Sequence, residues 1–319
     1  MVVEIKQAVA ILRAGGLVAF PTETVYGLGA DASNPAAVEQ IFRVKGRPSH
    51  HPLIVHIAHV DMLFSWAREI PDAALTLAAA FWPGPLTILL KKQSHVLSQV
   101  TGGQDTIGLR IPAHPIAQAL LNAFGGGLAA PSANQFTHIS PTTTQAVREE
   151  LGTKIEMILE GGECAVGLES TIIDLSQTKP VILRPGMITQ EAIANVLKQP
   201  VTMQQNTTVR VPGNHFVHYA PLTKTVLIST ADLPQYLQTL SKEQLPAALL
   251  THNRHQHKIR SDSIHVVTMS DQAERYAHDL YRKMREMDNL HYKLIIIEAV
   301  PDTLAWQAIR DRLMKACRP

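Results

Sequence analysis

Two short apolar runs, "STIIDL" at 170–175 and "PVILRPG" at 180–186, stand only a few residues apart. Both are rich in β-branched residues and bounded by turn formers, the pattern of a buried strand. A parallel crossover needs a dozen or more residues between its strands, and the residues between these two are too few. The sheet that contains them is therefore expected to be mixed.

Five further runs read as strands: "PLIVHI", "PLTILLK", "TIGLRIP", "GLAAP" and "IEMILEG". Leu17–Phe20, bracketed by Gly15, Gly16 and Pro21, is another. Between them lie helical stretches. Ile5, Val9 and Leu12 recur at helical spacing near the start. "NPAAVEQIFRVKG" opens on a cap-like Asn34 and Pro35, carries Val38, Ile41 and Phe42 on one side, and stops at Gly46. Others are expected near Ala73–Phe81, Pro115–Ala123, Thr142–Leu151 and Thr189–Leu197. The fold class is α/β, with more strands than helices and an open mixed sheet.

The text then turns polar and loses its period in "KQPVTMQQNTTV", which reads as a linker. Beyond it, "TKTVLIS", "PAALLTH", "IHVVTMS" and "YKLIIIEAV" alternate with helices ending at Leu240, spanning Asp271–Met287 and spanning Thr303–Ala316. That alternation predicts a smaller, parallel, doubly wound domain of Rossmann type. No G-x-G-x-x-G follows its first strand, so a dinucleotide is not indicated. The division expected is a first domain over 1–203, a linker over 204–223 and a second domain over 224–319.

The formal net charge is only +2, so anion binding must come from local clusters of Lys and Arg. Cys164 and Cys317 are far apart and lack a Cys-x-x-Cys partner, which argues against a disulfide framework or a thiolate zinc site. The first apolar run is too short and interrupted for a signal peptide or a membrane span. A cytoplasmic location is expected, with no membrane contact.

Candidate chemistry gathers on cations at element ends. Lys45 and Arg47 flank Gly46 in "KGRP" at a helix C-terminus, where the macrodipole alone favours positive charge. Arg110 in "GLRIP" and Arg184 in "LRPG" sit at strand ends, the usual ligand edge of an open α/β sheet. An Arg in an apolar run needs a partner, and an anionic ligand or an internal Asp or Glu would serve. "APSANQFTHISPTT" offers Ser132, Asn134 and Ser140 in a loop before a helix capped by Ser140 or Thr142. "GLESTIIDL" places Glu169, Ser170 and Thr171 at a strand entrance. Among the histidines, His252, His255 and His257 in "HNRHQH" read as solvent-exposed, without acidic or Cys companions for a metal. His56 interrupts an apolar strand and must find a hydrogen-bonding partner. Neither a P-loop nor a G-x-S-x-G elbow is present.

Taken in order, "PTETVYGLGADA", "KGRPSHHPLIVHI", "FWPGPLTILL", "GLRIP", "APSAN", "GLESTIIDL" and "LRPGMI" strongly resemble the YrdC/Sua5 family of threonylcarbamoyl-adenylate synthases over roughly the first two hundred residues. "VPGNHFVHYAPLTK", followed by a small α/β domain, resembles the two-domain Sua5 type. The resemblance implies a YrdC-like twisted, open mixed sheet. It also implies an enzyme, a nucleotidyltransferase that joins L-threonine, bicarbonate and ATP into threonylcarbamoyl-AMP and releases pyrophosphate. That product feeds the t6A modification at position 37 of tRNAs through a downstream transferase machinery.

Position by position, Thr24, His56, Arg110, Ala130 and Ser170 match the family's threonine-binding positions. Arg47, His51, Thr106, Ser132, Ser140 and Arg184 match positions that meet ATP, with Tyr219 reaching back from the linker. Lys45 and Asn134, from the K-x-R and S-x-N signatures, are assigned with Arg47 to phosphate or carbamate handling. Mg²⁺ is expected on the phosphates and water rather than on a protein cage. His51 stands where the family has Asn, "NQFTHISP" lacks the usual Ser-Gly, and Asn214 and His215 replace Met and Lys. The alternative reading is an RNA-binding module on the same basic concavity, which would show a steep salt dependence and possible tRNA contact.

Overall fold

A computed structural model describes residues 2–204, 209–213, 218–252 and 263–317. By its contacts the chain forms two compact units, one of Met1–Phe136 with Ser140–Asn214 and one of Thr137–Ile139 with His215–Pro319. Among the described residues no helix is long and apolar enough to cross a membrane.

The first unit runs α1 (Val2–Arg13), β1 (Val18–Phe20), β2 (Gly27–Asp31), α2 (Pro35–Lys45), β3 (Ile54–His56), α3 (Leu63–Trp66), β4 (Ala67–Arg68) and α4 (Asp72–Phe81). It continues with β5 (Leu86–Lys92), α5 (Ser98–Thr101), β6 (Thr106–Arg110), α6 (Pro115–Phe124), β7 (Leu128–Ala129) and α7 (Thr144–Leu151). β8 (Met157–Ile158), β9 (Thr171–Asp174), β10 (Val181–Arg184), α8 (Gln190–Leu197) and β11 (Thr202–Met203) complete it. The strands form one sheet in the order β11-β10-β9-β5-β6-β3-β7-β2-β1-β8, with β4 beside β5. The sheet is mixed, as the short connection demands: β9 and β10 pair antiparallel, while β5–β9 and β3–β6 pair parallel.

Local signals explain most of these elements. Asn34 caps α2 by accepting from the Ala36 and Ala37 amides at 3.0 and 3.3 Å. Gly46, left-handed at φ 63°, closes the helix and turns the chain into the basic segment. α1 buries Ile5, Ala8, Val9 and Leu12 against Ala117, Leu120 and Leu121 of α6. Each fully buried Leu there contributes roughly 1.5–3 kcal/mol.

One strand was not among those expected, and one cap needs correction. "GLGAD" is strand β2, antiparallel to β1, and carries Gly27 and Gly29. Phe20 lies across them, and a Cβ on Gly29 would come within 2.8 Å of its ring, so glycine here makes room for a neighbour's side chain. Helix α7 is capped by Thr143, whose hydroxyl accepts from the Ala146 amide at 3.2 Å, and not by Ser140 or Thr142. Ser140 turns instead to Glu169. Residues 209–213 lie along the sheet: Val211 is buried with Ile54, Leu89, Ile172 and Leu183. The Arg210 amide and carbonyl both bond the Gln104 side chain, at 2.7 and 2.9 Å.

The second unit holds β12 (Thr225–Ile228), α9 (Leu233–Gln238), β13 (Ala247–Thr251), β14 (Ile264–Thr268), α10 (Ala273–Asn289), β15 (Leu294–Glu298) and α11 (Gln307–Ala316). Its four strands pair in parallel in the order β12-β15-β13-β14, the doubly wound arrangement expected from the alternation. Leu233, Ala247, Leu249, Leu294 and Ile296 form one of its buried clusters. His252 is not the exposed residue expected: only 12% of its side chain is accessible, and Nδ1 lies 3.6 Å from the buried Glu298 carboxylate. It follows β13 directly and packs beside Tyr276 and Trp306, which the strand end draws inward. His255 and His257, and the substituted Asn214 and His215, lie outside the described residues.

Candidate active site

Strand ends place the first group of predicted residues. β6 terminates at Arg110 and β3 at His56, and the two residues are register partners in a parallel pair. The loop after β1 folds onto them. Thr22 Oγ1 donates to the Val25 carbonyl at 2.6 Å and accepts from the Thr24 and Val25 amides, an ST turn that fixes Thr24. Arg110 then donates three ways: Nε to the Gly84 carbonyl at 3.2 Å, Nη1 to Thr24 Oγ1 at 2.9 Å, and Nη2 to Glu23 Oε1 at 2.6 Å. The other Glu23 oxygen accepts the Ala113 amide at 2.9 Å. Arg110 thus finds its partner inside the protein, in a carboxylate that is itself buried.

His56 is buried, and its Nδ1 has no hydrogen-bond partner among the described residues. Burial, and then the neighbouring Arg110 charge, hold its pKa well below the usual imidazole range, so the ring is neutral at physiological pH. Phe20 meets it edge-on at 5.8 Å. Ala130 follows β7 and donates its amide to the Ile54 carbonyl at 2.9 Å, which sets it beside the same strand.

Ser170 enters from the start of β9. Its hydroxyl lies 2.8 Å from Thr87 Oγ1 on β5. Arg184, at the end of β10, donates Nε and Nη2 to the Ser170 carbonyl at 3.0 and 2.8 Å and Nη2 to its hydroxyl at 3.0 Å. Arg184 Nη1 also reaches the Pro212 carbonyl at 3.1 Å. Thr24, His56 and Arg110 are brought together directly, and Ser170 is joined to Arg184.

The second group forms around the end of α2. Lys45 is buried, and its Nζ donates to the carbonyls of Ser132 and Asn134, both at 2.5 Å, tying the helix end to the S-A-N loop. Burial, with Arg47 adding repulsion, pushes its pKa well below the usual lysine range. Arg47 donates to the Pro52 carbonyl at 2.9 Å and lies 5.8 Å over the Phe136 ring, which His51 meets edge-on at 5.3 Å. Ser140 donates to Glu169 Oε1 at 2.6 Å.

Thr106 lies at the opposite end of β6 from Arg110, about 13 Å away at a rise of about 3.3 Å per residue. Tyr219 belongs to the second unit, where it is buried and left-handed at φ 63°. Its ring stacks on Tyr281 at 5.7 Å, beneath the Arg312 guanidinium at 5.2 Å. Glu23 and Thr87 were not singled out from the sequence. The signal for Glu23 was present, since an Arg inside an apolar strand requires an anion and "TET" offers one. Within the first unit, no three His, Cys, Asp or Glu ligands among the described residues come close enough to share an ion.

The Sua5/YciO/YrdC family model, described as "Telomere recombination", matches residues 10–186, and the model for the C-terminal domain of threonylcarbamoyl-AMP synthase matches 188–317. A threonylcarbamoyl-AMP synthase of Pyrococcus abyssi is 40% identical over 98% of this chain and 94% of its own. The chain belongs to the Sua5 family of threonylcarbamoyl-AMP synthases. The Bacillus subtilis member is also 40% identical, covering 98% of this chain and 92% of the relative. The crystal structure of P. abyssi Sua5 complexed with L-threonine superposes with a TM-score of 0.90 at 38% identity, over 98% of this chain and 94% of that one. Escherichia coli YciO matches with a TM-score of 0.53 at 29% identity, covering 58% of this Sua5 chain and 90% of its own.

Proposed function

We infer that this chain is a threonylcarbamoyl-AMP synthase acting as a nucleotidyltransferase on L-threonine, bicarbonate and ATP. The observation that carries this reading is 40% identity over 98% of the chain to synthases of that name. The threonine amine attacks the bicarbonate carbon, and one oxygen leaves as water with an amine proton, which gives the carbamate. A carbamate oxygen then displaces pyrophosphate at the α-phosphorus, so the work of the protein is positioning and charge stabilisation. The product supplies the t6A transferase machinery in the cytoplasm.

Thr24, His56, Arg110, Ala130 and Ser170 receive threonine in this reading. Arg110 suits the carboxylate, since a guanidinium fork matches two carboxylate oxygens. His56, kept neutral, adds a polar contact without a second charge. Arg47, His51, Thr106, Ser132, Asn134, Ser140, Arg184 and Tyr219 serve ATP, and Lys45 with Arg47 handles phosphate or carbamate. Mg²⁺ arrives on the phosphates, because it keeps several waters and uses substrate oxygens. The test is pyrophosphate release from ATP with Mg²⁺. It is expected only when threonine and bicarbonate are both present, and release unaffected by omitting threonine would refute the reading.

A further inference from the structure

We propose that Glu23 is a positioning residue that sets the affinity for threonine by holding Arg110 in its receiving geometry. The proposal rests on the assignment of Arg110 to threonine. A guanidinium has five N–H donors, and Arg110 spends three, on Gly84, Thr24 and Glu23. One N–H on each terminal nitrogen has no partner among the described residues, which leaves both ends of the fork for an incoming carboxylate.

The direction of that fork is fixed by Glu23. Its Oε1 accepts from Nη2 at 2.6 Å, and its Oε2 accepts the Ala113 amide at 2.9 Å, so the carboxylate is anchored to the chain just beyond β6. Both members of the ion pair are nearly buried, with side-chain exposures of 4% for Arg110 and 10% for Glu23. Glu23 and Thr24 are adjacent, so one turn of chain grips both terminal nitrogens. The pair also cancels the Arg110 charge. A zwitterionic amino acid adds one carboxylate and one ammonium to such a neutral pair, whereas an isolated buried cation would favour a bare anion.

Because both Glu23 oxygens accept, Glu23→Gln puts an amide N–H against a donor and loses the charge. Glu23→Asp keeps the charge but shortens the reach by one methylene. Threonine and ATP affinities of both variants and the parent are to be measured by calorimetry, alongside KM values from pyrophosphate release. Glu23→Gln is expected to weaken threonine about tenfold or more, the scale of one charge-assisted hydrogen bond, with ATP within about twofold. Glu23→Asp is expected to recover part of the loss, and it alone answers the question if Glu23→Gln does not fold. Threonine affinity within about twofold of the parent, or equal weakening of threonine and ATP, overturns the proposal. A parent that binds threonine but releases no pyrophosphate refutes the assigned activity instead, and the calorimetric comparison still decides the role of Glu23.

Discussion

Arg110 and Lys45 are both buried cations at the end of an element in the same unit, yet they are neutralised differently. Arg110 meets a carboxylate, Glu23, at 2.6 Å. Lys45 donates to two backbone carbonyls, and the Glu150 carboxylate acts on it only through its charge. A carboxylate cancels a unit charge, whereas carbonyl dipoles solvate it and leave its field in place. The Arg110 pair is therefore charge-balanced and suits an amino acid zwitterion, while Lys45 and Arg47, which donate to backbone carbonyls, suit a polyphosphate. The same difference predicts which cation the fold depends on more.

The largest effect expected is that of Arg110→Ala, which strands Glu23 as a buried unpaired charge. It should cost about 3–5 kcal/mol of stability in urea unfolding, together with threonine-dependent activity. Lys45→Met leaves two carbonyls without their donor, and a loss of about 1–3 kcal/mol is expected, with ATP rather than threonine weakened in binding assays.

His56 supplies a pH test. Its folded pKa lies below the unfolded value, so below about pH 6.5 the unfolded chain binds the proton that the folded chain refuses. Stability should be unaffected by this group above that pH and fall as pH drops toward the folded pKa. Thermal melts of His56→Gln should fall less steeply with acid than those of the parent. The smallest effect is Asp105→Asn at the exposed pair with Arg68, where 66% of the Asp105 side chain is accessible and a change below about 1 kcal/mol is expected. A larger value would mean that exposed pairs here carry weight comparable to the buried one.

The parts of the fold that the sequence revealed are those written locally. The caps of α2, the periodicity of α1 and the short β9–β10 connection each involve residues within a few positions of one another. β2 was hidden because its glycines answer to Phe20 on the neighbouring strand. In the site, the cations and hydroxyls were visible as polar residues in apolar or glycine-rich runs, but their partners were not. Glu23 and Arg110 are 87 positions apart, and the sheet order β6-β3-β7-β2-β1 with the fold of the loop after β1 brings them together. Ser140 looked like a cap because Ser before a helix commonly is one, and Glu169, 29 positions away, claims its hydroxyl instead.

The contrast between the two cations is tested most directly by titrating threonine and ATP separately into Lys45→Met and Arg110→Lys, the latter keeping charge but losing the fork. Lys45→Met is expected to weaken ATP about tenfold or more and spare threonine, and Arg110→Lys to do the reverse, as the contrast between the two cations requires. Equal weakening of both ligands by each substitution would contradict it.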